Sequence, residues 1–211
     1  MKDINPRQPV ALLSAYNKDG LDEFAAALVA RQWKLLASAG TADYLCQRRI
    51  PAEDIGEIVG EPILGHRVVT LSRRIHAALL AGTGDRDQTE LARLELPPIG
   101  LVYVDLYPLE DEIGQPSRTL SSVREKTDLG GVALLRSAAK GGRLVLHCAA
   151  QFPAVLRYLD GEYSQEPHLE VAIALALAGL AEERVTEYCR ASMSYLLGEA
   201  GAEALQEITR D

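Results

Sequence analysis

Two short apolar runs, "PVALLSAY" (9–16) and "WKLLAS" (33–38), are separated by a single amphipathic segment. That segment, "GLDEFAAALVARQ" (20–32), puts Leu21, Phe24, Ala25, Leu28 and Val29 on one helical face. A second helix is expected at "GTADYLCQRR" (40–49), with Thr41 as its N-cap. Strands joined by connections this short, with a helix between them, pair in parallel through right-handed crossovers. Such a β-α-β-α opening commits the chain to a parallel α/β sheet covered by helices.

The remaining segments extend that pattern. "IPAEDIGEIVGEPILGHRVVT" carries Pro or Gly every few residues and reads as an extended surface loop. "LSRRIHAALLAG" (71–82) and "DRDQTELARLEL" (85–96) read as helices. "IGLVYVDLYPLE" (99–110) is the strongest strand and is expected at the centre of the sheet, buried on both faces. "TDLGGVALLRSAAKGG" (127–142) reads as a helix, with Leu129, Val132, Leu135 and Ala139 at roughly helical spacing, and "RLVLHCA" (143–149) as a further strand. Beyond residue 150 the sequence reads as helix only: a short one in "QFPAVLRYLDG", then two amphipathic helices over 166–190 and 190–208. Within them "VAIALALAGLA" (171–181) reads as a buried helix. The expected organisation is an α/β domain over 1–160 and a helical extension over 161–211 packed on it.

Composition narrows the function. A chain of 211 residues is long enough for one domain with a real core. A net charge of −8 argues against non-specific nucleic-acid binding, which needs a basic footprint, but leaves room for a local anion site. No run approaches the roughly 18 apolar residues of a membrane span. The start, "MKDINPRQPVALL", lacks the apolar core and small-residue cleavage site of a secretory signal. Cys46, Cys148 and Cys189 are odd in number and widely spaced, with no zinc spacing, and read as reduced, mostly buried thiols of a cytoplasmic protein. His66, His76 and His147 are assigned structural roles, and no metal is expected.

In an open parallel sheet, ligands bind outside the carboxyl ends of the strands. Four polar segments fall there: "YNKDG", "SAGTA", "DLYP" and "TDLGG". Ser38, Gly40 and Thr41 offer amides and hydroxyls to a phosphate at a helix start, or form a tight capped turn. Arg67 and Thr70 supply a guanidinium and a hydroxyl, or a solvated surface pair. Lys18 is a further phosphate partner, opposed by Asp19 beside it. Tyr107 can donate to a carbonyl oxygen or simply cover the sheet end, and Asp105 shares its side of the strand. Asp128, Gly130 and Gly131 form either a site element or a helix start. Lys140 is either a site residue or a complement to the helix dipole beside the C-cap Gly141.

Taken together, "ALLSAYNKDGLDEFAAAL", "LLASAGTADYL", "GHRVVTLSRRIHAALLA", "VDLYPLE" and "TDLGGVALLRSAAK" resemble the N-terminal half of bifunctional purine biosynthesis proteins. That half is an IMP cyclohydrolase with a methylglyoxal-synthase-like fold, and the resemblance runs from about Val10 to about residue 200. The second half of those proteins, an AICAR transformylase, is expected to be absent. The resemblance implies closure of the purine ring of FAICAR, a purine ribotide: the carboxamide nitrogen attacks the formyl carbon and water is lost, giving IMP. It implies no cofactor and a homodimer. It places Lys18, Ser38, Gly40, Thr41, Arg67 and Thr70 on the phosphate and ribose side, and Tyr107, Asp128 and Lys140 at the reacting end. The amides of Gly130 and Gly131 are expected to help stabilise an oxyanion. One straight helix over 130–140 would hold Asp128 and Lys140 at least ~15 Å apart, so either the segment bends or the two residues address different parts of the nucleotide.

The departures from that family are local. Its loop "RVKTLHP" reads "RVVTLSR" here, with Val69 for a Lys, Ser72 for a His and Arg73 for a Pro. Its "SDKTG" reads "YNKDG", and its "NLYPF" begins with Asp105 in place of Asn. Arg73 or Arg74 is available to replace the lost charge. Three readings follow: an active cyclohydrolase, a cyclase of specialised metabolism acting on a related ribotide or a non-phosphorylated analogue, and a non-catalytic nucleotide-binding or regulatory module.

Overall fold

The computed structural model describes residues 8–60, 62–64 and 68–209. Its sheet contains β1 (Val10–Ala15), β2 (Lys34–Ala37), β3 (Glu53–Asp54), β4 (Ile99–Asp105) and β5 (Leu144–Leu146), in the order β3-β2-β1-β4-β5. Every pairing is parallel. Crossovers run through α1 (Leu21–Ala30) and α2 (Ala39–Gln47), then through α3 (Gly56–Val59), α4 (Arg73–Leu80) and α5 (Asp85–Arg93). After β4 come α6 (Leu109–Gly114), α7 (Leu120–Lys126) and α8 (Leu129–Lys140), and after β5 come α9 (Phe152–Leu159) and α10 (Pro167–Ile208).

Strand alternation divides the interior in two. Val10 and Leu12 of β1 join a core with Leu79, Leu134, Leu135 and Tyr188 on one face. Ala11, Leu13 and Ala15 join Phe24, Leu28, Leu45 and Phe152 on the other. Both faces of β1 and β4 are covered, which explains their near-continuous apolar sequence. The ring of Phe24 stacks on that of Phe152 at 4.0 Å between centroids, and Tyr103 of β4 meets Phe152 edge-on at 4.8 Å. α10 packs on α8, β5 and α6.

Several expectations are corrected. β1, not β4, lies at the centre, with β4 next to it as an interior strand. The loop after residue 50 contains β3 and α3, because Glu53–Asp54 extends the sheet edge beside β2. Ser38, not Thr41, is the N-cap of α2. Two helices dividing near residue 190 are replaced by one run broken at Gly201, whose φ of 76° and ψ of 163° suit glycine alone. The run 171–181 is not uniformly buried: Leu177 and Ala181 face the core, while Val171, Leu175 and Leu180 are exposed. Only Cys148 of the three thiols is partly covered, and Cys46 and Cys189 are exposed. Among the described residues no helix is long and apolar enough to cross a membrane.

Candidate functional site

The strand order changes direction between β1 and β4, and a cleft of about 970 Å³ opens above their carboxyl ends. One wall is the start of α2. There Ser14 Oγ lies 3.2 Å from Ser38 Oγ, and Ser38 Oγ lies 3.1 Å from Thr41 Oγ1. Thr41 is fully buried, and its hydroxyl accepts the Ala15 N–H at 3.2 Å, so it ties β1 to α2. The amides of Ala39 and Gly40, as the first helical residues, have no intrahelical acceptor, and both residues line the cleft. A Cβ on Gly40 would meet open space.

The opposite wall is the end of β4 and the start of α8. Asp128 is the N-cap of α8 and its side chain accepts the Gly131 N–H at 2.7 Å. Burial raises its carboxyl above the ordinary aspartate value, against the pull of bonds from the N–H groups of Gly131, Tyr107 and Gly130. Tyr107 lies half-exposed across from it. Burial, then the charges of Asp128 and Glu125, raise its phenol, so it stays a proton donor at neutral pH. Tyr16 meets Tyr107 edge-on, with centroids 5.7 Å apart. The two glycines are required by crowding. A Cβ on Gly131 would stand 2.6 Å from Leu106 Cδ2 and 2.5 Å from Asp128 Oδ2, and one on Gly130 would collide with Thr70 Oγ1.

Lys18 lies between the walls. Its ammonium donates to the carbonyls of Ala15 and Tyr16, and burial lowers its pKa despite the nearby Asp105. Asp105 in turn accepts the Asn17 N–H at 2.7 Å. Among the described lining residues the carboxylates of Asp54, Glu57, Asp105, Glu125 and Asp128 face the cations of Lys18 and Arg124. No group of three or more His, Cys, Asp or Glu among the described residues has the geometry to hold a metal ion.

Of the residues singled out from sequence, Lys18, Ser38, Gly40, Thr41, Thr70, Tyr107, Asp128, Gly130 and Gly131 all line this one cleft. Arg67 and His66 lie outside the described residues. Lys140 is not brought to it. α8 runs without a break from Leu129 to Lys140, so Lys140 ends the helix roughly 15 Å or more from Asp128. The Gly131 amide is not free either, because it donates to Asp128. Val69 does line the cleft, whereas Ser72 caps α4 by accepting the Arg74 N–H at 3.3 Å. The Arg74 guanidinium donates to the Leu94 carbonyl at 2.9 Å, and neither it nor Arg73 is among the lining residues. His76 and His147 are half-buried and held below the ordinary imidazole value by burial; His76 Nδ1 lies 2.8 Å from Ser137 Oγ.

The sequence reading missed Ser14, Asp54, Glu57, Ser121, Arg124 and Glu125, which also line the cleft. Ser14 had a usable signal, as a polar residue near the carboxyl end of an otherwise apolar strand. The others come from short elements whose placement is set by packing.

Residues 20–133 match the MGS-like domain family. The chain is 45% identical over 135 residues to the bifunctional purine biosynthesis protein PurH of a Cyanothece strain, covering 63% of this chain and 26% of that protein. It is 37% identical over 189 residues to the PurH protein of Xanthomonas campestris pv. campestris, covering 88% and 35% respectively. It therefore spans about a third of the length of such relatives. Among solved structures, the crystal structure of ForH superposes with a TM-score of 0.75 at 28% identity, covering 90% of this chain and all of that one.

Proposed function

The chain belongs to the MGS-like domain family, and from that premise we propose that its cleft binds a purine ribotide and closes the ring of FAICAR to give IMP, the work of a cyclohydrolase in purine biosynthesis. The observation that carries this reading is that one cleft joins a hydroxyl-lined helix start to the Tyr107–Asp128 pair. The end of β2, which leads into α2, lies two strand spacings from the end of β4, or about 10 Å. A ribotide laid across that gap puts its phosphate on Ser14, Ser38 and the Gly40 amide, with Lys18 beside it and the buried Thr41 holding that wall, and its base at Tyr107, where Thr70 packs against Gly130.

The chemistry then needs few groups. Asp128 takes the proton from the carboxamide nitrogen as that nitrogen bonds to the formyl carbon. The Tyr107 hydroxyl donates to the formyl oxygen as it becomes tetrahedral. Asp128 then returns its proton to that oxygen, and the nitrogen that carried the formyl group gives up its N–H proton as its bond to the former formyl carbon becomes double, so that the oxygen leaves as water and Asp128 is restored. No metal or organic cofactor is required by this sequence of bonds. The protein acts as a homodimer, a reading supported by the exposed apolar side chains of Val171, Leu175, Leu180, Met193, Leu196 and Leu197 along α10.

A second reading is favoured by the lining itself. Val69 brings no charge, and five carboxylates face two cations among the described lining residues. A cyclase for a related ribotide or a non-phosphorylated analogue, or a binding module without turnover, fits that balance. Titration with IMP, AMP and inosine, alongside assay of FAICAR conversion without added metal, separates these. Turnover with phosphate-dependent binding is expected. Equal binding of the nucleoside and the monophosphates removes the phosphate assignment, and binding without turnover favours the module.

A further inference from the structure

The C-terminal helix reaches the cleft through one side chain. Tyr188 of α10 is almost wholly buried, and its hydroxyl lies between two main-chain groups of the turn that precedes α8. It accepts the Asp128 N–H at 2.8 Å and donates to the Lys126 carbonyl at 2.9 Å. Burial raises the Tyr188 phenol well above its ordinary value, so the proton bonded to Lys126 is retained across neutral pH. One turn earlier, the Arg184 guanidinium lies 5.4 Å from the Tyr188 ring centroid and pairs with Glu110 of α6 at 2.6 Å. Two residues at i and i+4 on one helix thus fasten α6 and the turn between α7 and α8.

The Asp128 carboxylate is held from the other side by the Gly131 N–H at 2.7 Å. Its side chain is fixed by α8 and the end of β4, and its main chain by α10. We infer that Tyr188 is a positioning residue for the reacting end: its hydroxyl sets the backbone at Asp128 and thereby the aim of the carboxylate. This rests on the reading of Asp128 as the acid–base group. The charged or titratable groups that act on this corner are Tyr107 at the end of β4, Glu125 of α7, Glu110 of α6, and Arg184 with Tyr188 itself on α10. Removing the Tyr188 hydroxyl changes none of the charges, only the geometry.

Tyr188→Phe keeps the ring and deletes both hydrogen bonds. For FAICAR, kcat is expected to fall about tenfold or more, as misplacement of a reacting group does, while KM stays within about threefold. The acid limb of the kcat profile moves to higher pH, because the carboxylate loses its aligned amides. Carbon-13 NMR of the Asp128 carboxyl is expected to report the same upward move without any turnover. Leu177→Ala, which removes buried atoms from the same helix away from the 126–128 turn, is expected to lower stability and leave both readouts in place. An unmoved carboxyl titration with unchanged kcat overturns the inference. A wild type without turnover, together with a moved carboxyl titration in Tyr188→Phe, retires the cyclohydrolase reading and leaves the positioning role standing. If that variant does not fold, hydrogen exchange on the wild type decides. The Asp128 amide is expected to be as protected as the buried amides of α8, and rapid exchange there overturns the clamp.

Discussion

Asp128 both caps a helix and lines the cleft, and the two roles respond differently to substitution. Asn caps a helix about as well as Asp, so Asp128→Asn keeps the α8 start while removing the group proposed to move a proton. Turnover is expected to fall by about 10²-fold or more, measured with FAICAR, with no loss of melting temperature at pH 7. The pH dependence has a definite sign. Burial holds the Asp128 carboxyl above its ordinary value, so the folded chain binds that proton more tightly than the unfolded chain does. This group therefore adds stability below its ordinary value and loses that contribution as pH rises through its raised one. Melts across that window should show the wild type gaining on Asp128→Asn as the pH falls. Gly131 belongs to the same corner. Its missing side chain leaves space that Leu106 and the Asp128 carboxylate already occupy, so Gly131→Ala is expected to destabilise by about 1–3 kcal/mol in denaturant unfolding and to displace the carboxylate.

At the scale of elements, what could be read from sequence was what has a local cause. β1, α1, β2 and α8 each carry their own periodicity and their own bounding turn, and each appears within a residue or two of its expected ends. The cleft followed because parallel strands deliver their loops to one edge. What escaped has a non-local cause. Thr41 looks like a cap by position, but its hydroxyl is recruited by the Ala15 amide across the β1–β2 pair. The apolar run 171–181 looks buried by composition, but a single helix on a flat surface can cover only one of its faces. The separation of Asp128 and Lys140, by contrast, was legible from helix rise alone, and the unbroken α8 takes the straight alternative rather than the bent one. The approach to α4 carries the element-scale prediction. Val69 lines the cleft and is partly packed on the core, and the nearby Arg74 is committed to Leu94. Val69→Lys is expected to raise kcat/KM for FAICAR in an otherwise unaltered chain, and an unchanged or lower value would mean that the missing charge is not what limits the reaction. Adding Ser72→His would sacrifice the α4 cap, at about 1 kcal/mol, and is the less clean variant.

For the whole molecule, the uncovered stripe on α10 predicts self-association. Light scattering is expected to give twice the 22.9 kDa chain mass, and Leu175→Glu to shift it toward that of one chain; a wild type at single-chain mass would leave the stripe without this role. The cleft also has a polarity that spans the molecule. Two helix starts face it, and in isolation each would carry the same partial positive charge. At α8 that charge is met internally, because the Asp128 carboxylate caps the helix and takes the Gly131 amide. At α2 the cap Ser38 makes no such bond, and the helix start stays open. The result is a slot with an attracting pole and a repelling pole, roughly two strand widths apart. Under the proposed reading, a molecule with a single anionic end is expected to lie in such a slot with that end at α2, so that its orientation is set before any base-specific contact forms.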